Sequence, residues 1–102
     1  MSIVGRLNKQ PAEREDCNLD FAAEWLDGGD RLFEVELKAI TCETDPEDTS
    51  LTVDEPIEFS ASTAKVWVNG GTSGNAYKVE VLAMSETGRI AEAEIKVKVK
   101  EI

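Results

Sequence analysis

Ile90-Ala91-Glu92-Ala93-Glu94-Ile95-Lys96-Val97-Lys98-Val99-Lys100 is the stretch that decides the fold. Ala91, Ala93, Ile95, Val97 and Val99 share one parity; Glu92, Glu94, Lys96, Lys98 and Lys100 share the other. A strand places alternate side chains on opposite faces, whereas a helix would scatter these charges around its circumference. The segment therefore predicts a strand with one face in a core and the other in water.

The same period recurs upstream. Residues 77–84, YKVEVLAM, put Tyr77, Val79, Val81 and Ala83 on one face, and residues 85–89, SETGR, supply a compact hairpin turn. Residues 65–69, KVWVN, are rich in β-branched and aromatic side chains and stop at Gly70-Gly71. Residues 31–40, RLFEVELKAI, predict Phe33, Val35, Leu37 and Ala39 inward, with Leu32, Glu34, Glu36 and Lys38 outward. Shorter strands are expected at 51–54 and 57–59, and around Leu19 and Phe21. Ala22 to Leu26 reads as a turn or a single helical turn, and Asp27-Gly28-Gly29-Asp30 as a loop. The acidic, proline-containing run 43–50 is another loop, and 60–64 a polar linker.

About seven short strands separated by regular turn signals predict an all-β fold, an immunoglobulin-like antiparallel β-sandwich. No strand is followed by a helical pattern of the length a parallel α/β sheet requires. Residues 1–16 carry charges and Pro11 without a sustained period. They read as an extended N-terminal arm, leaving 17–102 as the sandwich domain.

Charge narrows the partners. The 102 residues carry a formal net charge of −10. Residues 1–60 hold 16 acids and 5 bases, whereas 61–102 hold 5 acids and 6 bases. Such a surface disfavours nucleic acid and anionic membrane and leaves a basic protein partner or plain solvation. The first residues lack the apolar run of a secretory signal, so synthesis in the cytoplasm is expected. Cys17 and Cys42 are too few for a zinc site and are expected reduced and partly buried.

No catalytic constellation emerges. The chain has no histidine, the commonest general base. Its many carboxylates include no pair singled out as facing one cleft. Gly70-Gly71-Thr72-Ser73-Gly74 lacks the ending and the following helix of a phosphate loop. No enzyme activity and no cofactor are expected. One metal reading stays open: Asp27 and Asp30, or Asp45, Glu47 and Asp48, offer hard oxygen ligands for calcium at one end of a sandwich. Tyr77, entering its strand from a glycine-rich loop, fits a tyrosine corner, in which the hydroxyl folds back onto upstream backbone.

Two separated segments carry a family resemblance. The first is Lys9-Gln10-Pro11-Ala12-Glu13 with Asp16-Cys17-Asn18-Leu19-Asp20-Phe21 and Trp25-Leu26. The second runs KVWVNGGTSGNAYKV over 65–79, followed by Gly88-Arg89 and the closing strand. Together these resemble the small fiber-tail adaptor proteins of tailed bacteriophages. The resemblance implies a structural virion protein at the tail or head–tail junction, present in several copies, that helps attach tail fibers or tailspikes. The implied partners are other virion proteins: the portal or head–tail adaptor, the tail nozzle and the tail fiber. It implies manufacture in the bacterial host cytoplasm and a final location in the virion. Lys9, Pro11, Glu13, Phe21, Trp25 and Leu26 are the implied partner-facing or arm-anchoring residues, with Phe21 and Trp25 equally readable as core. Trp67 falls on the polar parity of its strand and is a further candidate anchor. The alternative is a generic immunoglobulin-like binding or decoration module, for carbohydrate or cell-surface adhesion, with or without calcium.

Overall fold

The computed structural model describes residues 3–22 and 25–102, and these form strands and loops without a helix. The strands are β1 (Ile3–Lys9), β2 (Glu15–Asp20), β3 (Leu32–Cys42), β4 (Leu51–Val53), β5 (Glu58–Phe59), β6 (Thr63–Gly70), β7 (Ala76–Ser85) and β8 (Ile90–Val99). They make two sheets, one ordered β1-β8-β7-β3 and the other β2-β6-β4, with β5 also paired to β6. Leaving β1 and β5 aside, the two sheets contain the first, fourth and third strands and the sixth, fifth and second. That division is the BED/GFC arrangement of an immunoglobulin-like sandwich.

The alternation that predicts the fold also builds the core. Ala93, Ile95, Val97 and Val99 of β8 pack inward beside Tyr77, Val79, Val81 and Ala83 of β7. Cys17 and Leu19 of β2 and Ala64, Val66 and Val68 of β6 face them from the other sheet. Cys17 and Cys42 are both buried free thiols. Burial, reinforced by the neighbouring Asp16 charge, pushes the Cys17 thiol above its usual range against a hydrogen bond from the Arg6 amide.

Three expectations need correction. Residues 3–9 are a sheet strand rather than a loose arm, running parallel to β8 from Ile3 opposite Ala93 to Lys9 opposite Val99. The first sheet is therefore mixed, with one parallel pair at its edge. The sequence hides this strand because its inward set is Ile3, Gly5, Leu7 and Lys9, of which two carry no apolar side-chain signal. Gly5 is required there: a Cβ would lie 2.8 Å from Cys17 Sγ and 3.1 Å from Leu19 Cδ2. Met1 and Ser2 of the expected arm lie outside the described residues, as do Ala23 and Glu24 of the expected turn.

The third correction concerns β3. Its pairing with β7 shifts register between Leu32 and Glu34 and again between Leu37 and Ala39. Each bulge inserts a residue and inverts the parity that follows. Leu32 and Val35 are consequently buried, while Phe33, expected inward, is 64% exposed. The bulges also blunt an edge strand that would otherwise offer a regular ladder to another chain.

Candidate partner interface

The Lys9-x-Pro11-x-Glu13 segment folds into a tight corner between the two sheets. Pro11 sits inside the turn, which is closed by the Glu13 amide donating to the Gln10 carbonyl at 3.1 Å. The Glu13 carboxylate reaches back to accept from the Gln10 amide at 2.6 Å. Lys9 is buried, and its ammonium donates to the carbonyl oxygens of Gln10 (2.7 Å), Pro11 (3.4 Å) and Gly70. Burial pushes the Lys9 ammonium below its usual range, opposed by the charges of Glu13 and Glu15. Lys9 and Glu13 thus direct their polar atoms into their own fold.

Phe21, Trp25 and Leu26 close the opposite end. Phe21 is fully buried and Trp25 is 7% exposed, their rings meeting edge-on at 5.9 Å. The amides of Trp25 and Leu26 both donate to the Phe21 carbonyl, at 3.0 and 2.9 Å. Leu26 is partly buried against the core. The Arg89 guanidinium covers the Trp25 ring at 5.1 Å and donates to the Trp25 carbonyl at 2.7 Å. Of the two readings of Phe21 and Trp25, this geometry is the packed one.

Trp67 is different. It lies half-buried on the outer face of the β2-β6-β4 sheet, opposite Asp16. Arg14 stacks 4.0 Å from its ring centroid, and Lys65 lies 5.8 Å away. Its indole nitrogen donates to Glu58 at 3.3 Å. Arg14 also pairs with Asp54 at 2.6 Å. That hydrogen bond, with one from Asn69, holds the Asp54 carboxyl below the usual range. An indole ring and a planar cation stacked on a sheet face form a pre-ordered polar–aromatic platform, the composition favoured at interface centres.

The Tyr77 ring is buried, and its hydroxyl accepts from the Thr72 amide at 2.7 Å, five residues upstream. The same hydroxyl donates to Asp48. Asp48 also accepts from the Ser50 amide (2.8 Å), the Ser50 hydroxyl (2.5 Å) and Asn75 (2.8 Å). These bonds, those from the Ser50 and Tyr77 hydroxyls foremost, hold the Asp48 carboxyl well below the usual range. Three of the other acids considered for calcium also have protein donors: Asp30 binds Thr87, Asp27 pairs with Arg89, and Asp45 accepts from the Glu47 amide. Among the described residues no cluster of three or more acid or cysteine side chains could hold a metal ion.

Several surface features escape sequence reading. Phe33 and Ile90, both about two-thirds exposed, flank a cleft of about 280 Å³ that also includes Met84. On the outer face of the β1-β8-β7-β3 sheet, Arg6, Lys96 and Lys78 stand in one cross-strand row. Glu94 and Glu80 stand together in the next row of that face. Each strand's charges are visible in the sequence, but the rows depend on pairing register between distant segments.

Comparison with known proteins adds three findings. The family model described as podophage GP4 fiber-tail adaptor protein gp77 matches residues 9–98. Among solved structures, the M1 domain from titin is similar at TM-score 0.45 and 13% identity, over 99% of this chain and 92% of that one. No curated protein sequence matches. The family match begins at the Lys9 corner and runs to the penultimate residue of β8, taking in both sheets and the Trp67 platform. The chain therefore belongs to the podophage GP4 fiber-tail adaptor protein family.

Proposed function

We propose that this protein is a structural part of the tail or head–tail junction, where several copies help attach tail fibers or tailspikes by protein–protein contact. The observation that carries the reading is the family match over nearly the whole chain. The physical design is in keeping with it. A sandwich closed at one end by the Lys9 corner and the Tyr77–Asp48 network, and at the other by Phe21, Trp25 and Arg89, holds its shape under load. Trp67, braced by Arg14, offers an aromatic anchor whose ordering cost is met before binding. The portal or head–tail adaptor, tail nozzle and tail fiber are the partners this reading assigns. Under it, the Lys9–Glu13 corner and the Phe21–Leu26 patch act by shaping the surface around a contact.

The test is genetic and compositional. Phage lacking this gene should yield particles with heads and tails but depleted of fibers, and the purified wild-type virion should contain the protein. Particles that keep their full fiber complement without it would end the proposal. Trp67→Ala, which leaves the core untouched, should reduce fiber incorporation while the purified variant remains folded.

A further inference from the structure

The outer face of the β1-β8-β7-β3 sheet is charged in an unusual order. Lys96 stands directly opposite both Arg6 of β1 and Lys78 of β7. One level along, Glu94 stands opposite Glu80. Like charges placed directly opposite across strands are destabilising, and an intervening opposite charge would relieve them. Relief here is slight: among the described residues Arg6, Lys78, Lys96, Glu80 and Glu94 enter no ion pair, and only the charge of Lys38 acts on Glu80 from a distance. The nearest pair on this face joins Lys38 to Glu92.

We infer that this face is a self-complementary docking surface for a second copy of the same chain, related by a two-fold axis lying in the interface between the two charge rows. Such an axis runs across the strands and exchanges the levels of residues 94 and 96. The Arg6–Lys96–Lys78 row of one copy then covers the Glu94–Glu80 row of the other, and the reverse holds by symmetry.

The ends of the face meet the same requirement independently. Ile90 and Lys100 are each five residues from Ile95, the level of the axis. The rotation therefore carries Ile90, which is 65% exposed, onto the region of Lys100. A cleft of about 370 Å³ lies there, lined by Ile102 and otherwise by polar and charged residues, Asn8, Glu13, Lys98 and Lys100 among them. An exposed apolar side chain at one end thus falls beside Ile102 at the other.

Size sets the strength. Four strands about 4.8 Å apart and ten residues at about 3.4 Å give roughly 650 Å² per copy. The total buried is about 1,300 Å², at the lower end of specific interfaces. The contact is charged throughout its centre, so it should be weak, fast and salt-sensitive. The inference stands apart from the virion role, because it concerns the purified protein alone.

Sedimentation velocity of the intact protein at roughly 200 µM in low salt, where an interface of this size should be populated, is expected to show a dimer. Its dissociation constant should rise about tenfold or more on moving to 0.5 M salt. Lys78→Glu with Lys96→Glu leaves Arg6 as the one base in the two rows, and Glu80→Lys with Glu94→Lys makes both rows basic. Each double variant should be monomeric alone, and an equimolar mixture should regain the dimer. Recovery in the mixture also shows that both variants fold. A wild type that stays monomeric, variants that still dimerise alone, a mixture that does not associate, or growth into open-ended oligomers would each overturn the inference.

Discussion

Lys9 Nζ donates to the carbonyl oxygen of Gly70, 61 residues further along the chain. The bond fastens the end of β1 to the turn that follows β6. Gly70 is itself fixed by its neighbours: it has φ of 75°, and a Cβ there would strike the Ser50 carbonyl oxygen. A buried ammonium is costly unless its donors are satisfied, and here three carbonyls satisfy them. Lys9→Met keeps the stem and removes the donors, leaving the Gln10 and Gly70 carbonyls short of a partner. The expected loss is about 1–3 kcal/mol, measured by urea unfolding. A partner-facing Lys9 would instead show unchanged stability and weakened assembly.

The described N-terminal segment gives a second outcome. An arm could be removed without thermal consequence, whereas a strand in the sheet cannot. Deleting residues 1–8 should expose the edge of β8 and uncover Cys17 and Leu19. The melting temperature should fall by more than about 5 °C, and the truncated protein should aggregate more readily. An unchanged melting curve would restore the arm.

That contrast marks where the sequence is informative. β8, β7 and β6 carry unbroken alternation, and each forms with its predicted face inward. Their periodicity comes from apolar side chains, which is the signal a reader can see. β1 is buried through Ile3, Gly5, Leu7 and Lys9, so its inward face is partly a missing side chain and a charge. β3 alternates on paper, but two bulges reset its parity, and no local residue marks them. The candidate interface suffers the same limit. Trp67 could be picked out from its parity, whereas the Arg6–Lys96–Lys78 row exists only once three strands are in register.

The first β3 bulge has a simple consequence. Phe33→Ser should change stability by less than about 0.5 kcal/mol, because its ring faces solvent. Leu32→Ala, one residue earlier, should cost about 2–5 kcal/mol. Were Phe33 inward, as its alternation predicts, the two costs would be reversed. Chemical denaturation of the pair decides it.

Asp48 makes the loop end sensitive to acid. Its carboxyl is held below the ordinary aspartate value of 3.8 by bonds to the ionised form. A group with a depressed folded value stabilises fully at pH above its unfolded value and loses that contribution as pH falls through the folded one. Wild-type stability should therefore decline on acidification below about pH 4 more steeply than that of Asp48→Asn. Tyr77→Phe removes one donor to Asp48 and the acceptor for the Thr72 amide. It should cost roughly 1–2 kcal/mol near neutral pH and flatten the same acid slope only in part. Unfolding free energies at a series of pH values would show both; parallel curves for wild type and Asp48→Asn would refute the assignment.

Gly5 and Cys17 should be coupled. A Cβ at Gly5 would lie 2.8 Å from Cys17 Sγ, closer than unstrained atoms approach. Gly5→Ala must therefore push β1 away from β2 or displace the thiol, at about 1–3 kcal/mol. Cys17→Ala removes that sulfur and leaves a small void, a modest loss on its own. In the double variant the new methyl fills part of the void, although Leu19 Cδ2 at 3.1 Å still limits the fit. The two losses should therefore sum to less than their separate values, with a favourable coupling of roughly 0.5–1.5 kcal/mol. Strict additivity in a double-mutant cycle would mean that β1 does not cross β2 at this point.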